Sequence, residues 1–119
     1  MDATETTPGP PPSEWLRAVL SLAVLAIVAE EETYGYVVTQ RLLAAGLGPV
    51  KGGTLYPVLN RLEAAGHVTS SWREGVNGPG RKFYAATEPG RAHLAERTAA
   101  WTHFTGQAAS LLPIGRSTT

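Results

Sequence analysis

The stretch GGTLYPVLNRLEAAG, residues 52 to 66, carries the side chains with the clearest chemical purpose in the chain. On a wheel of about 3.6 residues per turn, Leu55, Val58, Leu59 and Leu62 fall on one side, and Gly53, Tyr56, Pro57, Asn60, Arg61 and Ala64 on the other. The glycines leave the N-terminal end of the outward side narrow. Backbone can therefore come close to a phosphate there, and the free N–H groups of a helix start attract anions. Thr54 and Tyr56 offer hydroxyls to phosphates, while Asn60 and Arg61 carry the amide and guanidinium groups that pair with base edges in the major groove. Pro57 is tolerated if hydrogen-bonded helix begins near Gly53, which sets the proline in the first turn or just beyond.

A second cluster follows. Arg73 precedes, and Arg81 and Lys82 follow, the glycine-rich connection GVNGPG. A hairpin built only to close a core has no need of three cations at its arm. Beside a recognition helix, such an arm reaches along a phosphate backbone or into a minor groove. For the helix alone, an ordinary solvated polar face is the plain alternative; the basic arm shifts the balance towards nucleic acid.

Other chemistries find less support. His67, His93 and His103 are scattered, with no carboxylate or second histidine at ligand spacing on one face, so they read as surface or packing residues and no metal site is expected. VKGGT lacks the glycine-lysine-threonine order of a phosphate loop. No nucleophile, histidine and acid set is suggested, so neither catalytic residues nor a cofactor are expected. The chain has no cysteine, which excludes disulfides and thiolate metal sites.

The 119 residues suit one domain with a small core, and the 43 % apolar content fits a folded chain. The formal net charge of zero at first argues against a nucleic-acid partner, but its distribution does not. Between Thr33 and Arg91, seven basic residues stand against three acidic ones, a net of +4, and the flanks carry three basic against seven acidic, a net of −4. A basic middle in a neutral chain is compatible with one anion-binding face. AVLSLAVLAIVA, residues 18 to 29, is too short to span a bilayer and lacks the positive segment of a signal peptide, so it reads as a buried helix in a cytoplasmic protein.

These groups need positioning elements. Residues 1–12 are a polar, proline-rich tail expected to be disordered. Ser13 is suited to cap a first helix from Glu14 to Glu30, so apolar on most faces that a second copy of the chain is expected to supply cover. Thr33 is suited to cap a second helix, Tyr34 to Ala45, ended by Gly46, and the third helix closes at Gly66. HVTSSWRE and RKFYAAT read as the two strands of a hairpin. Thr87 then caps a last helix reaching Leu112, with Glu88 and Pro89 in its first turn. The fold class is mainly α (α+β), a winged helix-turn-helix over residues 13–87 followed by a C-terminal dimerisation helix over 88–112 and a flexible tail over 113–119.

TYGYVVTQRL, GGTLYPVLNRLEAAGHV and GRKFYAATEPGRAHL together resemble the PadR family of bacterial transcriptional regulators, over about Trp15 to Leu112. The single C-terminal helix is similar to the short subfamily. The resemblance implies a homodimeric winged helix-turn-helix that represses transcription and reads inverted repeats in double-stranded DNA. By position, Lys51, Thr54, Tyr56, Asn60 and Arg61 fall where the family contacts DNA, with the wing at Arg73 to Lys82. Lys51 departs from the serine that the family usually places at this N-cap.

In the last helix Leu94, Arg97, Trp101, Phe104, Ala108 and Leu111 follow the alternating spacing of a coiled-coil seam, which Arg97 interrupts. With Leu20 and Val24 of the first helix, the apolar members form the expected dimer interface, whose two-fold symmetry would match a palindromic operator. Trp101 either fills that interface or, with Trp15 and Phe104, lines a slot for a small aromatic or hydrophobic effector. A protein–protein adaptor is the alternative function for such a fold.

Overall fold

The computed structural model describes residue 9 and residues 11–75 and 78–113 of the chain. The expected tails at residues 1–8, 10 and 114–119, and Val76 and Asn77 of the wing connection, lie outside the described residues. The element order is α1 (Ser13–Glu30), β1 (Thr33–Tyr34), α2 (Gly35–Ala44), α3 (Gly52–Ala64), β2 (Val68–Arg73), β3 (Arg81–Ala86) and α4 (Glu88–Ala109). The three strands make an antiparallel sheet in the order β1-β3-β2.

Helix α1 is the hub. It packs against α2, α3, α4 and β3. Its Leu20, Val24, Leu25 and Val28 join Val38 and Leu42 of α2, the four leucine and valine residues of α3, Val50, Val68 and Tyr84 in one core. The chain's own elements therefore cover one side of α1, while Trp15 and Ala18 stay exposed and Leu22 is only partly buried. Leu20 and Val24 lie inside this core and present no surface to a partner, which corrects their assignment to a dimer interface.

Two helix starts differ from expectation, each for a backbone reason, and the third, that of α3, falls within one residue of it. Pro12 occupies the N-cap of α1, and its carbonyl accepts from the amides of Trp15 and Leu16, both at 3.0 Å; Ser13 is already helical. Thr33 does not cap α2, because it pairs with Tyr84 as part of β1, a strand too short to leave a period in the sequence. Tyr34 holds that N-cap position without a side-chain bond. Helix α3 starts at Gly52, so Pro57 lies in the second turn; the amide it lacks would have met the exposed Gly53 carbonyl, where water can serve.

The helix ends follow expectation. Gly46 and Gly66 adopt φ of 83° and 81°. Around each, the next two amides turn back on the helix: Gly46 to Leu43 and Leu47 to Leu42, Gly66 to Glu63 and His67 to Leu62. Thr87 caps α4, its Oγ1 accepting from the Gly90 amide at 3.0 Å. Helix α4 stops at Ala109, short of Leu112, where the amides of Leu111 and Leu112 both turn to the Ala108 carbonyl. Among the described residues no helix is long and apolar enough to cross a membrane.

Candidate nucleic-acid interface

Helix α3 buries Leu55, Val58, Leu59 and Leu62 and leaves Lys51, Gly53, Thr54, Tyr56, Asn60 and Arg61 exposed. The division follows from sequence spacing: one stripe is consumed by the core under α1, so the other must face out. Lys51 sits at the N-cap without a side-chain bond, and its carbonyl takes the amides of Thr54 and Leu55, each at 2.9 Å. The Gly52 and Gly53 amides at the positive end of the helix dipole have no capping side chain, next to the Lys51 ammonium.

Tyr56 is less free than its hydroxyl suggests. Its ring lies across Gly35 at the start of α2: a Cβ at Gly35 would come within 2.2 Å of the Tyr56 hydroxyl oxygen. Tyr56 thus locks α3 onto α2, the two helices of the helix-turn-helix, while still half exposed.

The wing has two unlike faces, set by the strand alternation. The face carrying Val68, Ser70, Trp72, Lys82 and Tyr84 looks at α3, because Val68 and Tyr84 are core residues and the Ser70 hydroxyl donates to Glu63 Oε2 at 2.6 Å. Burial pushes the Tyr84 hydroxyl pKa up, helped by the nearby Tyr56 and Glu63, so the residue is a neutral phenol.

The opposite face is a stack. Arg73 lies over the Phe83 ring at 4.1 Å, Phe83 packs on Tyr34 with centroids 5.2 Å apart, and Arg81 covers Tyr34 at 4.7 Å. Arg73 also donates to Glu32 Oε1 at 2.5 Å. Of the three wing cations read from the sequence, Arg73 thus has both an ion-pair and a ring partner within the chain, with about half of its side chain still exposed. Lys82, and Arg81 while it covers Tyr34, border a groove of about 500 Å³ between the wing and α3, together with Tyr56 and Asn60. Two residues of this groove were not marked in the sequence, Tyr36 and Trp72. Tyr36 looked like one more residue of α2, and Trp72 like one more position of a strand. The available signal was the interleaving of aromatic with basic residues.

The second groove, about 580 Å³, runs between α1 and α4 and is bordered by Leu22, Leu25, Arg97, Trp101 and Phe104. Trp101 and Phe104 meet there with centroids 6.1 Å apart. Trp15 is not part of it, since it projects to solvent from the first turn of α1. His93 also borders this groove and stacks on His67 at 4.0 Å, which makes both of them packing residues at the joint between wing and α4. Among the described residues, no three potential metal ligands come together.

Comparison with known proteins agrees with this geometry. The family model "Transcriptional regulator PadR-like family" matches residues 24–96. The transcriptional regulator Rv3488 of Mycobacterium tuberculosis is 45 % identical over 83 residues, covering 70 % of this chain and 76 % of that protein. Among solved structures, a PadR family transcriptional regulator from Eggerthella lenta superposes with a TM-score of 0.77 at 33 % identity, covering 86 % of this chain and 88 % of that one. A PadR-like transcriptional regulator from Bacillus cereus gives 0.73 at 30 % identity, covering 82 % and 95 %. The fold of four helices and a small winged sheet matches the two solved structures over 88 % and 95 % of their length, and the chain belongs to the PadR-like family of transcriptional regulators.

Proposed function

We propose that the chain is a homodimeric, sequence-specific repressor that reads an inverted repeat in double-stranded DNA with one α3 per half-site. The observation that carries this reading is the groove in which Tyr56 and Asn60 of α3 stand with the wing cations Arg81 and Lys82, while the uncapped start of the same helix and Arg61 are exposed. Lys51, Gly53 and Thr54 take phosphates at the helix start, Asn60 and Arg61 read base edges, and the wing follows the backbone. Arg73 braces the wing through Glu32 and, with half of its side chain exposed, stays within reach of the same backbone.

The dimer forms through α4. Only Gly90 of this helix is buried, and Phe104 and Leu111 are 60 % and 86 % exposed. With Leu94, Trp101 and Ala108 they make a seam that a second copy covers. A small aromatic or hydrophobic effector entering beside Trp101 and Phe104 would release DNA by favouring a different spacing of the two α3 helices.

Fluorescence anisotropy with DNA from around the protein's own promoter and with random duplex, at two salt concentrations, tests the central claim. Much tighter, salt-sensitive binding to promoter DNA is expected. Absence of binding to either duplex at micromolar protein and low salt would leave the adaptor function instead.

A further inference from the structure

The groove between α3 and the wing is more aromatic than phosphate contacts require. Trp72 is 64 % exposed and Tyr36 63 %; both border it with Tyr56, Trp72 from the edge strand β2 and Tyr36 from the start of α2, next to the other edge strand β1. What sets these two rings apart from a lone exposed ring is that both border one groove that also holds Lys82 and Arg81. Two contacts fix the walls. Trp72 lies directly opposite Lys82 in the β2–β3 register, so ring and ammonium share the face that looks at α3. The indole also crosses Gly80, where a Cβ would lie 2.6 Å from Nε1. On the other side Tyr56 is held against Gly35. The groove is open to solvent, with rings projecting from its rims, which suits the edge of a large surface rather than an engulfed small molecule.

We propose that this groove clasps one sugar–phosphate strand of duplex DNA, with Trp72 and Tyr36 as apolar contacts to deoxyribose on either side and Lys82 and Arg81 on the phosphates. The inference rests on the DNA-binding function above and adds to it two residues and a kind of contact. An alternation of apolar ring and cation matches the alternation of sugar and phosphate along a strand. The sugar contact releases no counterions and reads no base edge, so it strengthens binding to any sequence without changing its salt dependence.

The test compares wild type, Trp72→Ala, Trp72→Phe, Tyr36→Ala and Lys82→Ala on promoter and random duplexes across a salt series. Trp72→Ala is expected to weaken both complexes about ten-fold with the salt slope unchanged, by analogy with the loss of an aromatic stacking contact. Trp72→Phe should recover most of that loss, and Tyr36→Ala, on a different element, should behave like Trp72→Ala. Lys82→Ala should lower the slope by about one. DNA should also quench wild-type tryptophan emission more than that of Trp72→Phe. If wild type binds with a normal salt slope and Trp72→Ala and Tyr36→Ala bind equally well, the clasp is wrong while the DNA-binding function stands. A slope that falls with Trp72→Ala would also overturn it, because the variant would then act through a displaced wing charge. If wild type binds neither duplex, both fail together.

Discussion

Helices α1 and α4 are the two longest elements, of 18 and 22 residues, and they solve opposite problems. Helix α1 is apolar on most faces, and α2, α3, β3 and α4 enclose its Leu20, Val24, Leu25 and Val28. Helix α4 is polar on average, yet its distal half holds Trp101, half-buried beside α1, and the exposed Phe104, with the exposed Leu111 just past its end. Hydrophobic content alone therefore does not say which helix the fold leaves uncovered. What matters is how much neighbouring structure the topology brings to each helix. A helix at the centre of the fold is packed on several sides whatever its composition, and one that leaves the fold loses cover along its length.

The sharpest way to break this contrast is to cut into α1. Leu25 is fully buried among four elements, so Leu25→Ala should destabilise the folded chain by about 2–5 kcal/mol. Urea unfolding at fixed protein concentration would measure it. A cost below 1 kcal/mol would mean that α1 is covered loosely and still needs a partner.

Gly90 marks where the two regimes meet. A Cβ there would sit 1.9 Å from the His67 carbonyl oxygen, backbone that has little room to yield. The same carbonyl takes the Thr87 amide at 3.0 Å, and Arg91 donates to the Ala29 carbonyl at 2.9 Å, so α4 leaves the wing at a pinned angle. Gly90→Ala should cost about 1–3 kcal/mol and tilt α4. It should weaken promoter binding more than random-duplex binding, since half-site spacing depends on that angle. Equal losses on both duplexes would show that the joint does not set the spacing.

Phe104→Ala should then do what Leu25→Ala does not. It removes an exposed ring, so the isolated protomer keeps its stability, while dimer affinity falls by about 2 kcal/mol or more if the ring is an anchor of the seam. Sedimentation velocity across a dilution series separates the two effects. An unchanged dimer would remove α4's distal half from the interface.

Much of this architecture was legible in the chain because periodicity reports burial: the Leu55, Val58, Leu59, Leu62 stripe, the glycine stops at Gly46 and Gly66, and the Thr87 cap all hold. What was not legible depended on contacts distant in sequence. Thr33 has the chemistry of a cap, and only pairing with Tyr84 shows it to be a strand residue. Arg73 has the chemistry of a phosphate contact, and only Glu32 and Phe83, brought to it by the fold, show it to be engaged. The over-apolar first helix announces burial but not by whom. Trp72 gained its meaning from Lys82 across the hairpin and α3 beyond.

The smallest expected effect tests the same contrast at its edge. Trp15 is the one large ring of α1 that escapes enclosure, 65 % exposed in the first turn. If the interface belongs to α4 alone, Trp15→Ala is an ordinary surface change, within about 0.5 kcal/mol in stability and without effect on the sedimentation of the dimer. If α1 instead contributes its N-terminal turn to the partner, the variant should weaken the dimer while leaving the protomer's urea midpoint alone, as Phe104→Ala does. A shift in dimer affinity with Trp15→Ala, added to that with Phe104→Ala, would redraw the seam as running from the start of α1 to the end of α4. No shift would confine it to α4, and the exposed indole would be the cost of beginning a helix before the fold reaches it.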